Sequence, residues 1–141
     1  MDPATKMLRN PVIPTYFSIA LPWTMATMAS SSAAIVDATE VAAKNENVSI
    51  DLSGLAAGTI DAAVFLKQFR GYLEHMRVWM DYLGDWSRFL YGSDYPLVNI
   101  GEYIKVIRAI VPEEHHEAVF CNNALRVFPK LKPLLKAEEE K

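Results

Sequence analysis

The stretch "FLYGSDYPLVNIGEYI", residues 89–104, holds the acid best placed for chemistry. An apolar run, Phe89-Leu90-Tyr91, breaks at Gly92 and delivers Asp94 into a loop, with Tyr95 and Pro96 behind it. A carboxylate just past a buried strand has two readings. It can bind a metal or act as general base for water. It can also cap a helix or brace a loop, because Asp is common in turns. A second acid, Asp51, lies inside the apolar segment "VSIDL". An acid in a strand is costly unless it is paired, metal-bound or in a solvated mouth, and a structural role is the simpler reading of Asp51.

The other reactive side chains form no set. His115 and His116 are adjacent on a charged helical segment, where neighbours point about 100° apart and cannot chelate one metal together. Both read as solvated. His75, between Glu74 and Met76, reads as a surface or internally satisfied residue. Cys121 is the single cysteine and follows Val119-Phe120 on an apolar face, so it reads as packing. It cannot form an internal disulfide, and a reducing compartment is the default. The chain has no HxH or HExxH motif, no paired-carboxylate site, no Gly-rich phosphate loop and no specific Ser/His/Asp arrangement.

The elements that would position these residues alternate. Residues 33–44 repeat apolar side chains at helical spacing, and residues 48–52 alternate as a strand. Thr59 is the expected N-cap of a long helix over 60–83, with Val64, Phe65, Phe69, Tyr72, Leu73, Met76, Trp79, Met80 and Leu83 on its apolar side. A short strand follows at 89–91 and a helix at 100–110. Pro112 starts a further helix to about residue 121, with Glu113 and Glu114 in its first turn, where the helix dipole favours acids. Asn122 or Asn123 caps a last short helix that Pro129 ends. Residues 16–21 read as a further strand. Strands alternating with helices predict an α/β fold with a parallel sheet. Functional residues in such folds lie at the carboxyl ends of strands, which is where Asp51 and Asp94 fall.

With 141 residues, 51% of them hydrophobic, the chain suits one domain with a modest core. The net charge is −3 and the pI about 5.6, so there is no basic field for nucleic acid. Three parts are expected: a poorly defined segment 1–34, a folded part 35–128 and a charged tail 129–141. No charged residue occurs between Arg9 and Asp37. Residues 1–34 therefore read as an irregular, partly buried segment of a cytoplasmic protein, or as the signal peptide of a secreted one. Pro14, Pro22 and interspersed Thr and Ser make a membrane span a poor fit.

Three segments in this order, "NENVSIDLSG", "RFLYGSDYPLVNIGEYIKVI" and "EEHHEAVFCNNALRVF", carry a family resemblance. The Gly-(Ser/Thr)-Asp-(Tyr/Trp)-Pro corner at Gly92 to Pro96 is similar to the strand-eight motif of the amidohydrolase-related family. The Asn-Ala-x-x-(Leu/Val)-Phe helix at Asn123 to Phe128 is similar to the segment that closes that family's chain. "IVDATEVAAKN" with "NENVSIDLSG" resembles its helix and strand seven, so the likeness spans roughly residues 35–128.

The family contains metal-dependent hydrolases and decarboxylases of the amidohydrolase superfamily. The resemblance implies the C-terminal βα units of a TIM (β/α)8 barrel, incomplete and helix-rich. It also implies a small carbonyl or carboxylate substrate and a divalent metal, usually zinc. Asp94 then corresponds to the aspartate that binds the metal or deprotonates the attacking water. The chain departs from the pattern as well. A complete barrel has about 250 residues, the early His-x-His pair is absent, and "MASSSAA" stands where a histidine and glycine often precede the helix. One carboxylate cannot hold a catalytic zinc, which takes three protein ligands. Little or no activity is expected of the chain alone, as a truncated product or half of a split enzyme. Uncovered strand edges point to self-association or a complementing chain. The alternative is a non-catalytic interaction or structural fragment using its apolar helix faces.

Overall fold

A computed structural model describes the backbone of residues 18–20, 23–27 and 32–133, and the side chains from residue 35 to residue 133. Strands β1 (Ser18–Ala20), β2 (Trp23–Thr27), β3 (Val48–Asp51) and β4 (Phe89–Leu90) form one sheet in that order. β1 is antiparallel to β2, whereas β2, β3 and β4 run parallel. Helix α1 (Ser32–Lys44) links β2 to β3, and α2 (Ala62–Gln68) with α3 (Arg70–Leu83) links β3 to β4. Helix α4 (Ile100–Ile110) follows β4, and α5 (Asn123–Val127) is followed by a 3-10 turn (Pro129–Leu131). The architecture is α/β and helix-rich. Among the described residues the sheet is open, an arc of βα units of the TIM-barrel type rather than a closed barrel.

Each helix folds around one apolar stripe. In α1 the buried residues are Ile35, Ala38, Thr39 and Ala42, the i, i+3, i+4, i+7 spacing of a single face. Helix α4 repeats it with Tyr103, Val106, Ile107 and Ile110. The β3 side chains alternate, so Val48, Ile50 and Leu52 enter the helix-side core with Phe89, while Ser49 and Asp51 face the other way. The Asp51↔Leu90 register brings the strand ends level.

The sequence predicts one helix over 60–83, and the structure breaks it at Phe69 (φ −103°, ψ 21°). Helix α2 packs on α4, while α3 packs mainly on α1. The cap is Asp61, whose carboxylate accepts from the Val64 N–H at 2.9 Å, rather than Thr59. Val64 and Phe69, expected in the apolar stripe, are exposed. Strand β2 was not anticipated, because "WTMAT" has no clean apolar alternation. The region 112–122 is a 3-10 turn (Glu113–His115) and a π-helical turn (Ala118–Asn122). Its extra residue per turn buries Val119 and Asn123 and leaves Cys121 exposed, not packed.

The amino ends of β3 and β4 are clamped by Arg88, which is buried in the turn before β4. Its Nε donates to Val48 O at 2.6 Å, and Nη2 donates to Asn45 O at 2.6 Å and Ala42 O at 3.1 Å. It thereby caps the carbonyl end of α1 and fixes the start of β3. Neither Asn122 nor Asn123 makes a side-chain cap. Instead the buried Asn123 Nδ2 donates to Trp86 O and Phe89 O, both at 2.8 Å, and ties the closing helix to β4.

Most of the leader-like stretch and residues 134–141 of the tail lie outside the described residues. Among the described residues, no helix is long and apolar enough to cross a membrane.

Candidate active-site corner

Two carboxylates sit at the carboxyl ends of adjacent parallel strands. Asp51 ends β3 and is half-buried, and its Oδ1 accepts from the Ser53 N–H at 2.8 Å. Burial pushes its carboxyl above the ordinary value, the Ser53 donors pull it back, and the negative charge of Asp94 pushes it up again.

Asp94 lies four residues beyond β4 and is exposed, with φ at +50°, a left-handed conformation that few non-glycine residues adopt. Its carbonyl accepts from the Leu97 N–H at 2.7 Å and closes the turn, which holds a cis Tyr95–Pro96 bond. Among the described residues its carboxylate accepts no hydrogen bond, so neither the helix cap nor the loop brace is found there.

Gly92 lies against Asp51. A Cβ built on it would stand 2.2 Å from Asp51 Oδ1 and 2.8 Å from Asp51 Cγ. The glycine of the corner motif is therefore required by the neighbouring strand's side chain.

The loops after β3 and β4 are joined by side chains of α4. Tyr103 donates its hydroxyl to Leu52 O at 2.6 Å and accepts from the Leu55 N–H at 3.3 Å. Burial pushes its phenol well above the ordinary value, and the charges of Asp94 and Asp51 add to this. Asn99 accepts from Ile60 N–H at 2.8 Å and donates to Ile60 O at 2.9 Å, while Glu102 accepts from Ala62 N–H at 2.9 Å. The Gly58 N–H donates to Leu97 O at 2.6 Å. A shallow groove of about 450 Å³ lies between the 55–61 loop and α2, and neither Asp51 nor Asp94 lines it.

The amidohydrolase family model matches residues 21–130. The chain belongs to the amidohydrolase family. No curated protein and no solved structure matches it. The match begins upstream of residue 35, where the motif resemblance starts, and takes in β2, which pairs in parallel with β3.

The remaining candidates of this amidohydrolase have partners of their own. His75 Nε2 accepts from the Trp79 indole at 3.2 Å, and His115 stacks on Trp86 with centroids 5.1 Å apart. His116 Nε2 lies 3.1 Å from Arg108 O and 3.0 Å from Val111 O, so it donates to the carbonyl end of α4. Among the described residues no three His, Cys, Asp or Glu side chains come together as a metal site. Their donor set does not by itself fit a catalytic zinc.

Sequence reasoning ranked Asp51 apart from Asp94 and passed over the tie from α4 to the 53–61 loop. The equal reach of two parallel strands was the available signal for the first. For the second there was none, since an Asn before a helix reads as an ordinary cap.

Proposed function

We propose that this amidohydrolase chain contributes the strand-seven and strand-eight corner of a site that hydrolyses or decarboxylates small carbonyl or carboxylate compounds. Asp94 is its acid–base carboxylate. The observation that carries this reading is Asp94, held in a left-handed turn beyond the carboxyl end of a parallel strand, with no bracing bond from the described residues. In the family reading a divalent cation, zinc foremost, activates water. The described residues lack the donors to hold one, so catalysis calls for further ligands, and the chain alone turns over little.

Metal analysis and zinc titration of the purified full chain test this. Well under one equivalent is expected. One equivalent that disappears in Asp94→Ala would overturn the expectation of low activity. One equivalent retained in Asp94→Ala would remove Asp94 from the site.

A non-catalytic interaction fragment is the second reading. Val64, Val78 and Tyr82 stand 61%, 63% and 58% exposed on α2 and α3, apolar surface that a partner would cover. Analytical ultracentrifugation separates the two: a concentration-independent monomer argues against the interaction role.

A further inference from the structure

We propose that Asp51 is a positioning residue for the Asp94 corner: its carboxylate occupies the place of a side chain at position 92 and so sets the path of Gly92-Ser93-Asp94. This rests on reading Asp94 as the site carboxylate.

The geometry is specific. The strands are locked at Asp51↔Leu90, and Leu52 N–H donates to Leu90 O at 2.8 Å, so the ladder runs to the end of β4. Two residues later the β4 chain passes directly over the Asp51 carboxylate, at 2.2 Å from where a Cβ of residue 92 would lie. That carboxylate accepts from the Ser53 N–H at 2.8 Å through the same Oδ1 that faces Gly92, and this bond holds it in place. The chain then enters the left-handed conformation at Asp94 and folds back through the bond from Leu97 N–H. A side chain of the neighbouring strand therefore stands where the chain leaves the sheet, beside the bonds from Tyr91 N–H to Val119 O and from Leu97 N–H to Asp94 O. Removing it leaves Gly92 with neither a side chain of its own nor the one that replaces it, and glycine then has the widest choice of path. Asparagine keeps both the shape and the acceptor for Ser53.

The test uses the isotope-labelled full chain and two readouts. The first is the positive-φ signature of Asp94 in its HN–Hα coupling and Cα and Cβ shifts. Asp51→Ala is expected to lose it, and Asp51→Asn to retain it. If Asp51→Ala does not fold, Asp51→Ser, too short to reach Gly92, makes the same comparison. The second is a double-mutant cycle. Gly92→Ala is expected to lower the melting temperature by about 5 °C or more in the wild-type background, and by much less beside Asp51→Ala or Asp51→Ser. An unchanged Asp94 signature in the shortened variants, or an equal cost of Gly92→Ala in both backgrounds, would overturn the proposal. Neither readout uses metal or activity, so a failure of the functional reading in the zinc experiment stays distinguishable from a failure here.

Discussion

The two ends of the parallel strands are built on opposite terms. At the amino ends a cation is buried, and its donors meet the carbonyls of Ala42, Asn45 and Val48. At the carboxyl ends stand two acids, one with its pKa raised chiefly by burial, the other in a left-handed turn. At the first end the buried guanidinium has its charge met by three carbonyl acceptors. The second end keeps a half-buried carboxyl and a non-glycine residue at positive φ, both of which raise the energy of the fold. Barrels divide their labour in this way, with stability at the amino face and chemistry at the carboxyl face.

The largest effect that would break this contrast belongs to Arg88. Arg88→Ala strips partners from buried carbonyls and leaves a cavity, so urea unfolding should show a loss of about 3–5 kcal/mol. A loss under about 1 kcal/mol would mean the amino end is not the stabilising one. Asn123→Ala should cost about 2 kcal/mol by the same measurement, because Trp86 O and Phe89 O lose their shared donor.

How legible these ends were in the sequence differs as much as their chemistry. The stripes of α1 and α4 and the strands at 48–51 and 89–90 could be read from periodicity, since each depends on local spacing. The Gly-Ser-Asp-Tyr-Pro corner could be read as a family motif, and Asp94 with it. Nothing local marks Arg88 as a buried clamp, because its partners lie 40 to 46 positions away. The same is true of Asp51 against Gly92, which meet only when β3 and β4 pair. The break at Phe69 carries no proline and coincides with a change of main packing partner from α4 to α1. Strand β2 was hidden by its Thr, Met and Ala composition and is recognisable only beside β3.

A smaller, pH-dependent effect sharpens the contrast at Asp51. Its carboxyl is raised in the folded state, so its favourable contribution is whole below about pH 4, the unfolded value, and is lost as pH climbs through the folded value. Asp51→Asn should therefore match wild type in acid and gain relative to it towards neutral pH. Melting curves over that range check this, and a relative loss at neutral pH would show that the ionised carboxylate stabilises the fold.

The smallest expected effect is the most direct test, because it separates a carboxylate kept for chemistry from one that braces a loop. Urea unfolding of Asp94→Gly relieves the left-handed backbone at φ +50° and removes a like charge from beside Asp51. The predicted result is a chain more stable than wild type by up to about 1 kcal/mol. A loss of about 1 kcal/mol or more would contradict it and make Asp94 a structural residue of its own turn.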